Sequence, residues 1–432
     1  MLNVRLANPL ILAALLAALP GTSFADDVKL EYHGAGWAQF GMVAHSSDTS
    51  KLDYNDNPMQ SAGAVINSSA KVDDHWDGGL GLGVVQVHLI RGAEDNGNWY
   101  PFMVPFVSEA RITYSTSLFT QQDKFKVSLG YIPYGYNPDV KDLGQYLLRG
   151  YVYPGTLVSG FGNISGAIVG YGIGGLHNDL ILNVETEDKP LYDFSIADVA
   201  NYQFKFGLEV GAGVNFYRVI AQNSDLTSPS KDCVPGKLGP AVASNPAENV
   251  CYIVDTVGTV LDTITGGYAG TKLMARFHFD PKTAFGFSGS LGKEDLVLYG
   301  EAAILGVKDY PIFYDDIARR IPAMVGFNFP AFGFLDNLSL EVEYYASKNS
   351  SDNLNPEQGS WLPSLNSIKY VKRDDWKWSV YAAKVLSGHM KLSAQAANDH
   401  LRLGGTHDLP YGVEAMNTPK DWYWTCKLAY FF

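Results

Sequence analysis

Residues 422–432 alternate along their whole length, and this constrains the fold more than any other stretch of the chain. Trp422, Trp424, Cys426, Leu428, Tyr430 and Phe432 fall at a spacing of two and are all apolar or aromatic. The interleaved Tyr423, Thr425, Lys427, Ala429 and Phe431 are more mixed. A period of two with one greasy side is a β-strand, because successive side chains point to opposite faces. A greasy strand left bare at a sheet edge templates aggregation, and a closed barrel removes that edge. In a membrane the greasy face of such a barrel turns outward.

The other end of the chain supports export. Arg5 supplies a positive region, residues 9–19 form a short run rich in Leu and Ala, and Ser23-Phe24-Ala25 offers a small-x-small cleavage site. The run is shorter than the about 20 apolar residues a spanning helix needs. A leader of residues 1–25 is therefore expected, followed by one barrel over 26–432. Aromatic residues make up 13% of the chain and Gly occurs 44 times, yet nothing after residue 25 reads as a spanning helix. Hydrophobicity is spread in alternation, as it is along barrel strands.

A formal charge of −13 argues against a nucleic-acid partner, which requires a basic footprint. Acidic outer loops facing lipid and lipopolysaccharide are one reading of that charge, and plain solubility is the other. Cys233 and Cys251 share one polar loop, and in an oxidising compartment they are expected to form a disulfide. Cys426 falls on the lipid-facing register of the last strand, where it serves as a small apolar residue.

Sixteen strands are read near 28–44, 60–73, 78–91, 104–116, 124–136, 161–173, 179–187, 190–199, 204–220, 267–279, 296–306, 321–329, 337–347, 374–386, 390–403 and 421–432. The fold class is thus all-β, a transmembrane antiparallel up-and-down barrel. Parity decides one ambiguity. Residues 285–291 could form a further strand, but counting it would move the longest loop, 221–266, to the side of the short turns. Residues 280–295 are therefore an enlarged periplasmic connection. Loops 45–59, 92–103, 137–160, 221–266, 307–320, 348–373 and 404–420 then lie outside.

Alternation assigns the faces. Phe125, Val127, Leu129 and Tyr131 face lipid, against Lys124, Lys126, Ser128 and Gly130. Phe204, Phe206, Leu208, Val210 and Phe216 do so against Lys205, Glu209 and Asn215, and Leu338, Leu340, Val342 and Tyr344 against Ser339, Glu341 and Glu343. A charge on the lipid face costs a few kcal/mol at mid-depth, so these charged residues mark the lumen. Glu109, Arg111, Lys124, Lys126, Lys205, Glu209, Lys272, Arg276, Glu301, Glu341 and Glu343 are the lumen candidates. Both signs occur, so they either set a field across a constriction or pair between neighbouring strands. Sixteen strands leave room for an aqueous channel.

Loop 137–160 differs from the others. Leu143, Tyr146, Leu147, Leu148, Tyr151 and Tyr153 are too apolar for a segment standing in solvent, and the barrel interior is the nearest surface to receive them. Loop 307–320 carries Asp309, Asp315, Asp316, Arg319 and Arg320, charges that suit a solvated mouth. No HExxH, Cys-x-x-Cys or Gly-x-Ser-x-Gly occurs, so no enzyme activity, cofactor or metal is expected.

Over residues 26–432 the chain resembles porin-type outer-membrane proteins. Residues 294–306 and 320–330 resemble those of a poorly characterised porin-like group. The resemblance implies insertion in the bacterial outer membrane by the barrel-assembly machinery, through the strand ending in Phe432. It also implies an inward-folded loop, which places Lys141, Tyr146, Arg149 and Tyr151 at a constriction. The acidic loop motif of trimeric general porins is missing, which leaves the oligomer open. The function expected is passive diffusion of small hydrophilic solutes. The alternatives are a structural or adhesive surface barrel, or a conduit for oligosaccharides or polyanions.

Overall fold

In the computed structural model of this chain, the described residues are 28–45, 58–88, 101–120, 122–135, 146–148, 163–186, 192–220, 242–245, 250–254, 260–265, 269–287, 289, 291–307, 316–345, 376–398 and 419–432. Nine strands come first: β1 (Lys29–His45), β2 (Pro58–Lys71), β3 (Trp76–His88), β4 (Pro101–Thr116), β5 (Lys124–Pro133), β6 (Asn163–Ile173), β7 (Leu176–Val184), β8 (Phe194–Gln203) and β9 (Leu208–Ile220). Three short ones, β10 (Val242–Asn245), β11 (Val250–Val254) and β12 (Val260–Thr265), make a separate three-stranded sheet. Seven more follow: β13 (Gly270–Phe279), β14 (Leu298–Ile304), β15 (Ala323–Asn328), β16 (Asn337–Tyr344), β17 (Trp376–Ser387), β18 (Met390–Ala397) and β19 (Trp422–Phe431). Strands β1–β9 and β13–β19 close an antiparallel barrel of sixteen, in which β9 pairs directly with β13 and β19 with β1.

The terminal alternation closes the ring. Gly34 and Phe432 exchange both backbone hydrogen bonds, at 2.8 and 3.0 Å. The Phe432 ring lies over Gly34, where a Cβ would stand 2.1 Å from it, so only glycine admits the ring. Outward positions are apolar, with Leu129, Val210, Phe216, Leu340, Leu428 and Tyr430 exposed. Cys426 lies on the same outward register. Aromatic contacts gather at both ends of the barrel. Tyr202, Phe204 and Phe206 form a chain at one end, with centroids 4.7 and 5.3 Å apart. Tyr344 and Trp376 meet at 4.8 Å at the other. Such bands mark the two interfaces of a membrane barrel. Asp198 is an exception on the outer face. It alternates with the buried Ala197 and Val199, and its Oδ1 accepts from Asn178 Nδ2 at 2.9 Å.

Each of the sixteen expected strands has a counterpart, and two are displaced. The segments read at 179–187 and 190–199 are β7 and β8, at Leu176–Val184 and Phe194–Gln203. The cause is a tight hairpin: Ile173 pairs with Leu176 across Gly174 and Gly175, and Gly174 takes a φ of 58° that most side chains resist. The strand expected from 204 starts at Leu208, because Phe204–Gly207 is a turn closed by Phe204 N–H to Leu208 O at 2.7 Å, with Gly207 at φ 84°. Lys205 therefore lies exposed in that turn, outside the strand register that would have aimed it at the lumen.

The parity argument holds in the structure. Among the described residues of 280–295 none belongs to a strand. Asp280 caps the five-residue helix α1 (Pro281–Phe285), accepting from Lys282 N–H at 3.0 Å, and Gly286 ends it in the left-handed region. The loop at 221–266 contains the β10–β12 sheet, which alternation did not reveal. Cys251 lies on β11, and its expected partner Cys233 is outside the described residues.

Candidate functional site

The lumen is divided between two walls with different chemistry. Cross-strand register lines up Arg276 with Glu301, Glu301 with Met324, Met324 with Glu343, and Glu343 with Lys377, forming a belt across β13–β17. One step nearer the short-turn end runs a second row: His278, Tyr299, Gly326, Glu341 and Ser379. Arg276 Nη2 donates to Glu209 Oε1 at 2.6 Å, and Asn201 Nδ2 reaches the same oxygen at 3.2 Å. The Tyr299 hydroxyl donates to Glu341 Oε1 at 2.6 Å. Its ring lies over Gly326, where a Cβ would come within 2.2 Å. Glu341 and Glu343 are each only 1% exposed.

Residues 146–148 pack against this wall. The Tyr146 backbone N–H donates to Glu301 Oε1 at 2.9 Å, and its hydroxyl donates to Glu343 Oε2. Asn215 Nδ2 donates to the Leu147 carbonyl at 2.9 Å. The Leu147 side chain fills the space over Gly213, where a Cβ would stand 2.5 Å from Leu147 Cδ2 and 3.4 Å from Met274 Cε. Tyr146, Leu147 and Leu148 are all buried. These residues belong to the connection between β5 and β6, whereas β14 and β16 stand on the far side of the sixteen-strand ring. The chain therefore crosses the lumen and attaches to the opposite wall. Hydrogen bonds to charged acceptors are worth about 1.5–3 kcal/mol each, which favours a fixed attachment over a loose one.

On the β3–β5 wall the charged groups stay within reach of water, although Thr113 and Ser128 between them are buried. Arg111 is its hub: Nη1 donates to Asp77 Oδ2 at 2.8 Å and to Thr113 Oγ1 at 2.8 Å, and Nε donates to Glu109 Oε2 at 3.1 Å. The Arg111 and Asp77 side chains are 20% and 35% exposed. Thr113 Oγ1 lies 2.9 Å from Ser128 Oγ, extending the network onto β5. Lys124 and Lys126, also on β5, are exposed.

Among the expected site residues, Tyr146, Glu209, Arg276, Glu301, Glu341 and Glu343 are thus gathered on one wall. Glu109, Arg111, Lys124 and Lys126 lie on the other. Lys205 joins neither, and Lys141, Arg149 and Tyr151 are outside the described residues. Sequence reasoning missed Lys377, Tyr299 and Asp77; it put Asn215 on the lumen face without singling it out as a site residue. Lys377 was legible in principle, since it alternates with Ser379 and Tyr381, but Trp376 and Trp378 on either side mask the pattern. It also missed a cluster at the long-loop end, where Arg218 Nη1 donates to Asp193 Oδ2 at 3.0 Å and Arg218 Nη2 lies 3.7 Å from Glu185. Arg218 sits at φ 52°, beside a bulge between β8 and β9, and irregular backbone of that kind leaves no simple sequence pattern.

No protein-family model matches this chain, and no curated protein is similar to it in sequence. Solved structures do match. OmpF of Salmonella typhi in complex with daunomycin is 10% identical and covers 94% of this chain and 98% of its own, with a TM-score of 0.50. A mutant porin of Rh. blastica is 11% identical over 94% of this chain and 100% of its own, with a TM-score of 0.45. Pseudomonas putida OprB is 11% identical over 94% of each chain, at 0.47. With its closed ring of sixteen strands, apolar outside and charged inside, the chain has the fold of the bacterial outer-membrane porins.

Proposed function

We propose that this protein is an outer-membrane channel through which small hydrophilic solutes diffuse passively. The observation that carries the reading is the passage of Tyr146–Leu148 across the lumen to Glu301, Glu343 and Asn215. A sixteen-stranded barrel is wide enough for water, and a segment crossing it leaves a narrower route on the side it does not cover. That route runs along Arg111, Glu109, Lys124 and Lys126. On this reading Lys141, Arg149 and Tyr151 stand with Tyr146 at the constriction. The chain is exported with residues 1–25 as its leader, and the short turns face the periplasm.

A second reading, a surface barrel whose outer loops bind partners, draws support from the separate β10–β12 sheet. Single-channel recording of the refolded chain in a planar bilayer separates the two. Steady openings that widen when residues 143–150 are replaced by a short Gly/Ser linker are expected of the channel. A verified barrel that never conducts overturns it in favour of the surface reading.

A further inference from the structure

We propose that the short-turn mouth of the lumen is an anion-attracting vestibule that makes the channel prefer small inorganic and carboxylate anions, a proposal that rests on the channel reading above. A cavity of about 760 Å³ opens there, and its lining includes Lys124, His177, Asp179, Glu209, Lys293 and Glu294. Asp280 also borders it.

The carboxylates at this mouth are mostly occupied. Glu209 is held by Arg276 at 2.6 Å. Asp179 Oδ2 lies 3.1 Å from His177 Nε2 and accepts from the Tyr134 hydroxyl at 3.2 Å. Asp280 is met by Lys282 Nζ at 2.9 Å and by the Thr283 hydroxyl at 2.9 Å. Glu294 alone among them lacks an ion-pair partner within the described residues.

The cations are the reverse case. Lys124 and Lys126 are exposed and alternate with the outward Phe125 and Val127, so they point into the lumen. Their cross-strand neighbours are Gly172 and Gly170, whose missing side chains leave the lysine stems uncovered. Lys293 is exposed on the 280–295 connection. Among the described residues none of these three makes an ion pair. Three open ammonium groups therefore face one open carboxylate, in a chain whose net charge is −13. Deeper in the lumen, Glu301, Glu341 and Glu343 lie buried on the covered wall, where a passing ion does not meet them. The local sign at the mouth is opposite to the sign of the whole protein.

A unit charge about 7 Å from a permeating ion in water changes its local concentration about threefold. The field persists over about 10 Å at 0.1 M salt and only about 3 Å at 1 M. The test is the reversal potential of the refolded full chain in a planar bilayer under a KCl gradient, at low and high salt. Chloride over potassium by about threefold or more at low salt, fading as salt rises, is the expected result. The K124E/K126E double variant, verified as a folded barrel by its β circular dichroism and its heat-dependent gel shift, is expected to reverse the preference. Openings with no anion preference, or a preference untouched in the double variant, overturn the vestibule and leave the channel standing. A folded barrel without openings overturns both.

Discussion

The two walls of the lumen are written in the same alternating code and end in different chemistry. On β13–β17 Arg276, Glu301, Glu341 and Glu343 are buried, and each holds a close polar partner in Glu209, the Tyr146 backbone, the Tyr299 hydroxyl or the Tyr146 hydroxyl. On β3–β5 Arg111, Glu109 and Asp77 also pair, but water reaches them. The difference teaches that a charged lumen residue in a barrel is not by that fact a selectivity residue. Glu341 and Glu343 hold a segment in place, whereas Lys124 and Lys126, which touch far less protein, are the ones placed to meet a solute.

Four substitutions bear on that contrast. The largest effect is expected at Arg276. Its replacement by alanine leaves Glu209 buried without its cation and is expected to cost about 3–5 kcal/mol. Arg111→Ala, whose carboxylate partners regain water, is expected to cost about 1 kcal/mol. Urea unfolding of the detergent-refolded barrels, followed by tryptophan fluorescence, compares the two. Equal losses would erase the distinction between a sealed and an open wall.

A middle-sized effect is expected at Gly213. A valine there collides with Leu147 Cδ2, which would lie 2.5 Å from the new Cβ. Overpacking costs about 1–3 kcal/mol, and the segment can escape by leaving the wall. Larger single-channel conductance with strand content unchanged is the expected outcome. Unchanged conductance would mean that the segment tolerates the clash and stays where it is.

The smallest effect is at the foot of the open wall, in the turn between β2 and β3. Asp73 accepts from the backbone N–H groups of His75 and Trp76, at 2.6 and 2.8 Å. These bonds, His75 first, hold its carboxyl below the ordinary 3.8. Since the folded value is the depressed one, its contribution is full above the unfolded aspartate value and is lost as pH falls through the folded value. Hydrogen exchange of the His75 and Trp76 amides is expected to quicken over that acid window in the native protein. In Asp73→Asn the acid-dependent step is expected to vanish, and its persistence would assign it to another group.

Much of the barrel was legible along the chain. A period of two gave the faces of β5, β9 and β16, because lipid rejects charge on one side and the lumen accepts it on the other. The preference for short turns at one end excluded residues 285–291 as a strand. The displaced pair β7 and β8 was lost because the Gly174-Gly175 hairpin is tight, and a sequence rich in glycine (44 in all) offers many such pairs without marking which one turns. Lys205 followed that error, since its face was read from a strand that begins three residues later. The site was half legible. The apolar content of 137–160 indicated a segment that needed a surface, and Tyr146 was named from it, but its pairing with Glu301 and Glu343, read only as lumen residues, was not.

By itself, then, the sequence determined that this chain is a barrel of sixteen strands and which side chains point inward on strands such as β5, β9 and β16, because each of these follows from neighbours two residues apart or from the solvent on either face. Only the tertiary structure decided which inward charges meet water. That depends on contacts such as Tyr146 with Glu343, 197 residues apart. Burial is set by what the closed ring and the crossing segment bring together, and no local period encodes it.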